Sequence, residues 1–159
     1  MKKLATLAIL GSTILLSGPI SAATPQPAQS EKHAEAYVEY REAIFELLKS
    51  NMAPLGGMAK GAIPYDTQTM QTNGMRMEQL ADMLSDYLKV DTRKFDVDTE
   101  AKDTLWDNYS DVESKIGDLK AAAANLQSVA TSGDEAAYRK AIGQLGGTCK
   151  SCHDDYKAD

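Results

Sequence analysis

The chain keeps its only two cysteines, and one of its two histidines, in the five residues C-K-S-C-H that run from Cys149 to His153. Cys149 and Cys152 are three apart, and His153 is four from Cys149. On a helix all three project from one face. That arrangement lets two thiols add to the two vinyl groups of a haem while the neighbouring imidazole ligates its iron, and C-x-x-C-H is the attachment signature of c-type haem. Other chemistries use similar residues. A thioredoxin-like pair needs a βαβ context and a first cysteine at a helix N-terminus. A structural zinc site usually needs four Cys or His ligands, and only His33 remains to join these three. A short motif can also arise by chance. The use of every cysteine in the chain favours the haem reading over all three. A disulfide between residues so close closes too small a loop to be a useful staple.

The elements that must position this motif read as helices. Ala34, Tyr37, Val38, Arg41, Ile44, Phe45 and Leu48 recur at steps of three and four, which predicts a helix over 31–52 with Ser30 as its cap. Two prolines and several glycines in 51–64 should loosen or end it. Asp66 can cap a second helix over 67–89, with a stripe through Met70, Gly74, Met77, Ala81, Leu84 and Leu88. Residues 90–100 lack a helical period and read as a loop. A third helix is expected over about 101–130. The S-G-D-E run from Ser132 to Glu135 is a capping box for a fourth that reaches about 156. No strand pair, repeat or second domain is evident. Four amphipathic helices predict an all-α, antiparallel four-helix bundle over 31–159.

Arg41 is out of place on the inward stripe of the first helix. A buried charge costs several kcal/mol unless paired, and no acid stands three or four residues away on the same face. A haem propionate would supply the anion bidentately. Alternatively, the side chain snorkels outward.

The first 23 residues read as a secretory signal peptide: Lys2 and Lys3, an apolar run from Leu4 to Leu16, and small residues ahead of a cut near Ala23. The run is short for a membrane span. Export to the periplasm fits covalent haem attachment, and no membrane association is expected after cleavage. Residues 24–30, rich in Pro and Gln, read as a flexible leader. Cleavage takes two of the 17 basic residues and none of the 23 acidic ones, leaving a net charge of −8. That balance argues against nucleic acid and anionic membranes as partners.

With the motif at its C-terminal end, the chain resembles the cytochrome c-prime family, the class II c-type cytochromes. Segments Y-R-E-A-I-F (40–45), K-G-A-I-P-Y-D (60–66), L-W (105–106) and G-T-C-K-S-C-H-D-D-Y-K (147–157) stand where the family has similar ones. The resemblance implies one covalently bound haem c, with thioethers to Cys149 and Cys152, His153 as axial ligand, and Arg41 on a propionate. It also implies that Glu42 borders the haem, that Lys102 lies near its edge, and that the family often forms homodimers through its first two helices. Two positions depart from the family. Phe45 stands where the residue over the iron is often Leu. Lys157 stands where an Arg commonly lies against the proximal face, and it lacks that planar fork. The loop 90–100 also lacks the family's usual glycines, so no haem contact is carried over to it.

Fast electron carriers usually fill both axial positions, commonly with His and Met. The expected first helix has no Met before Met52. His33 is about 18 Å from Phe45 at 1.5 Å per residue, too far to reach the same iron. A five-coordinate, high-spin iron under Phe45 is therefore expected. It would bind small diatomic gases, nitric oxide first and carbon monoxide second. A soluble electron-transfer cytochrome serving a redox partner protein is the alternative. An enzymatic role such as peroxidase is disfavoured, because no distal His or Arg is there to cleave peroxide.

Overall fold

Residues 24–158 are described in a computed structural model of the chain. The expected signal peptide, 1–23, lies outside them. The first helix, α1 (Glu31–Ala59), starts where Ser30 Oγ accepts the amide of His33 at 3.2 Å. It does not stop near residue 52 but continues through Pro54. An interior proline costs about 3 kcal/mol. Leu55 and Met58, which extend the stripe of Ala34, Val38, Ile44 and Leu48, are fully buried beyond it. Burying two such side chains contributes about 1.5–3 kcal/mol each, enough to offset the break. Asn73 Nδ2 donates to the Asn51 carbonyl at 2.9 Å, tying the interrupted turn to the next helix.

That next helix, α2 (Thr67–Leu88), is capped by Asp66, whose carboxylate accepts the amide of Thr69. The expected third helix is split. A single turn, α3 (Thr104–Asp107), precedes α4 (Tyr109–Ser132). At the join Asn108 leaves helical geometry, and its side chain donates back to the Thr104 carbonyl. Gly133, at φ 74°, ends α4. The capping box expected at Ser132 does not form. Ser132 still belongs to α4, and α5 (Glu135–Tyr156) begins after Asp134, which makes no side-chain cap bond.

The proposed leader is not free. Gln26–Pro27 (β1) pairs in parallel with Val90–Asp91 (β2). The amides of Gln26 and Ala28 donate to the carbonyls of Lys89 and Asp91. Pro27 falls between these two donors, where its missing N–H costs nothing. Ala28 is buried beside Ala34 and Val90, with Tyr37, Phe95 and Val97 around them.

The four long helices form the bundle. Of the neighbouring helix pairs, α2 and α4 pack most extensively and α1 and α5 least. Gly74 allows a close α2–α4 approach: a Cβ there would lie 2.8 Å from Gln127 Cγ and 3.1 Å from the Ala123 carbonyl oxygen. Among the described residues, no helix is long and apolar enough to cross a membrane. The poorly filled α1–α5 seam is where a site can open.

Candidate functional site

A cleft of about 1160 Å³ occupies that seam. This is at or above the usual range for ligand pockets, about 300–1,000 Å³. Core side chains form much of its wall, including Leu84, Leu88, Leu105, Ile116 and Leu119. Cys149, Cys152 and His153 line one side from the last two turns of α5, and Arg41, Glu42 and Phe45 line the other from α1. The rings of Phe45 and His153 stand edge-on to one another across the cleft, with centroids 6.3 Å apart and planes at 71°.

Both cysteines are free, so no disulfide competes for them. Burial pushes both thiols above their ordinary range, which keeps them protonated near neutrality. A redox-active or metal-binding pair needs the opposite, a thiolate. Neither ring nitrogen of His153 has a hydrogen-bond partner among the described residues, so the imidazole is available as a ligand.

Ties between α4 and α5 hold the motif in place. Lys115 Nζ, on the cleft wall, donates to Ser151 Oγ and pairs with Asp155, both at 2.9 Å. Tyr156, also on the wall, donates its hydroxyl to Asp111 at 2.6 Å. The chain after α5 is fixed too. Lys157 bridges Ala101 in antiparallel fashion, and its ammonium pairs with Glu100 at 3.2 Å.

Arg41 is only 3% exposed. Its Nη2 donates to Thr92 Oγ1 at 3.3 Å, while its Nη1 is buried with no partner. The guanidinium lies over Trp106 at 5.4 Å. Burial lowers its pKa to about 10, despite opposing attraction from Glu42 and Asp91, so it remains charged at neutral pH. The snorkelling alternative fails: this is a buried cation with donor capacity left over.

Lys157 lines the cleft, whereas Lys102 does not; its ammonium donates to the Asp154 carbonyl instead. Thr99, Glu100 and Ala101 line the cleft in succession, and Lys102, just past the bridge to Lys157, is the first residue to turn away. The loop 90–100 contributes more than its sequence promised. Thr99 and Glu100 reach the wall, and Thr92 holds Arg41. Lys115 and Tyr156 were also missed. Lys115 could have been found as a charge beside the inward Ile116; Thr92, in an aperiodic loop, carries no such signal.

The fold and these residues define a class: a helical bundle that holds haem c from its last helix. The family model for cytochrome c′ matches residues 36–157, and the chain belongs to that family. It is similar to the cytochrome c′ of Cereibacter sphaeroides, at 34% identity over 145 residues, covering 90% of this chain and 96% of that protein. Among solved structures it is similar to cytochrome c prime from Shewanella frigidimarina, with TM-score 0.72 and 31% identity over 79% of this chain and 97% of the other. It is also similar to a ferrous variant of cytochrome c prime from Alcaligenes xylosoxidans with bound NO, with TM-score 0.70 and 25% identity over 79% and 96%.

The family's cofactor is covalently attached haem c, and the site fits it. The apolar cleft suits a flat macrocycle, two protonated thiols and an unengaged imidazole share one wall, and the orphaned Arg41 Nη1 awaits an anion.

Proposed function

We propose that the protein is a periplasmic haem c protein whose iron is five-coordinate and binds small diatomic gases, nitric oxide above all. Cys149 and Cys152 would hold the group, His153 would ligate its iron, and Arg41 would take a propionate carboxylate. Glu42, Phe45 and Lys157 would border it. The bound group supplies an iron centre that can change redox state and accept a gas. The observation that carries this reading is Phe45 facing His153: the side chain opposite the ligand has no atom to donate to a metal. Phe45 and the apolar wall behind it favour an uncharged guest. The NO bound by the Alcaligenes xylosoxidans variant supports the same choice of guest. The periplasmic assignment rests on the export pattern of residues 1–23.

An electron-transfer cytochrome is the second reading, because the longer α1 brings Met52 onto the cleft wall. Geometry weighs against it. Met52 lies seven residues from Phe45, about 10 Å along the helix. Its Cε is 3.3 Å from where a Cβ on Gly146 would sit, and Gly146 is itself seven residues before His153. The absorption spectrum of the reduced, haem-loaded protein decides between them. A high-spin spectrum that changes on adding nitric oxide is expected. Sharp low-spin bands, insensitive to the gas, would mean that a protein side chain fills the sixth position. No second histidine lines the cleft, so a peroxidase role has no evident acid–base group.

A homodimer through α1 and α2 is part of the proposal. Leu47 and Met83 are exposed beside a shallow groove shared with Leu80, and Tyr40 is exposed on the same helix. Self-complementary patches of this kind suit a two-fold interface. Sedimentation should give a dimer for the wild type and a monomer for Leu47→Glu. A monomeric wild type would remove this part of the reading.

A further inference from the structure

Arg41 reaches the cleft from a cluster of charges in which every acid but one is already engaged. Glu42, its neighbour on α1, lies on the cleft wall and is exposed. Asp91, in β2, is close enough to act on the Arg41 charge but is held by Arg93. Arg93 Nε donates to Asp91 Oδ1 at 3.0 Å, and Nη2 to Oδ2 at 2.8 Å. Arg93 Nη1 takes a second acid, Asp107 of α3, at 2.6 Å. Burial pushes the Asp91 carboxyl up, but the hydrogen bonds from Arg93 outweigh it and hold it below the usual range. Arg93 also stacks on Trp106, at 5.6 Å, as Arg41 does at 5.4 Å. Two guanidinium groups therefore share one indole and the field of one carboxylate, Asp91, and Arg93 holds that carboxylate. Thr92, 1% exposed and between Asp91 and Arg93 in the chain, accepts from Arg41 Nη2. The β1–β2 pairing fixes this stretch from the other side.

We propose that Arg93 is a positioning residue that sequesters Asp91, and so keeps the Arg41 guanidinium available for a carboxylate of the haem. A planar, five-donor fork is needed to occupy one carboxylate bidentately and reach another. Without it, Asp91 would be free to turn toward Arg41, the nearest unpaired buried cation. The haem carboxylate would then lose part of its partner, and its pKa would rise. The inference rests on the reading that Arg41 binds a haem carboxylate.

The test is the midpoint potential of the haem-loaded protein as a function of pH. Deprotonation of the haem carboxylate adds negative charge near the iron, so the potential falls as pH rises through that carboxylate's pKa. In Arg93→Gln the fall should begin about one pH unit higher than in the wild type, the size expected for one charged hydrogen bond. Removing the competitor as well, in Asp91→Asn/Arg93→Gln, should restore the wild-type onset. Arg93→Lys, which can hold one carboxylate but not two, should lie between wild type and Arg93→Gln and serves if the glutamine variant does not accumulate. A purely structural role for Arg93 would not be rescued by deleting a further charge. An unchanged onset in Arg93→Gln, or a double variant no nearer the wild type, overturns the proposal. Arg41→Gln separates this from failure of the underlying reading: if it too leaves the onset unmoved, no haem carboxylate sits at Arg41 and both readings fall.

Discussion

Replacing Cys149 and Cys152 together by serine is expected to yield protein from which haem is completely removed under denaturing conditions, and which melts at much lower temperature than the wild type. The first effect follows from the absence of any other cysteine in the chain. The second follows from the cleft. Its wall is made of core residues from α1, α2, α4 and α5, and without a retained occupant it must collapse, flood or stay void. If only a tenth of its roughly 1160 Å³ stayed as dry void, the cost would be about 3 kcal/mol at ~24 cal/mol per Å³. That is a large fraction of the roughly 5–15 kcal/mol of a typical domain. Haem staining after a denaturing gel reads the first effect, and a thermal melt monitored by helix signal reads the second. Haem that stays with the double-serine chain through the gel would overturn the thioether assignment. Single variants should keep the haem by one bond and melt between the two.

The sequence made some of this site legible because two of its parts break a local rule. Three ligating residues in five positions are too specific to be packing, and Arg41 is a charge on an apolar stripe. The four long helices were legible for the same reason in reverse, since each keeps its stripe at the helical period. What escaped detection depended on tertiary contacts. Pro54 is a strong local stop signal, yet α1 runs past it because Leu55 and Met58 are buried further on. Ser132 and Glu135 have capping-box spacing, but Gly133 sets the turn and leaves Ser132 inside α4. Gln26 to Ala28 looked like a leader because a two-residue parallel pairing with Val90–Asp91 has no periodicity to read. Thr92 and Arg93 were invisible for a similar reason: their partners lie on α1 and α3, and no spacing in the loop reveals them. Lys102 shows the limit of position matching. It stands one residue from Ala101, which faces the cleft, and that single step sends its ammonium to Asp154.

Phe45→Ala is expected to raise carbon monoxide affinity about 5- to 150-fold. A gas entering opposite His153 must displace the Phe45 ring, which lines the cleft and stands edge-on to the imidazole. Crowding a packed site costs about 1–3 kcal/mol, which sets the range of the expected gain. Nitric oxide bears the same cost but binds iron strongly enough to bind regardless, so carbon monoxide, the weaker ligand, is the one whose titration reads the change. The variant should fold, because Phe45 is 37% exposed and its loss leaves no closed void in the core. Phe45→Leu, closer in volume but free of the flat ring, should lie between wild type and alanine. Carbon monoxide titrations of the three reduced proteins measure the effect directly. Equal affinities across the series would mean that the ring does not guard the iron, and that gas reaches it from the Lys157 side, where the Lys157–Glu100 pair would be the next barrier to remove.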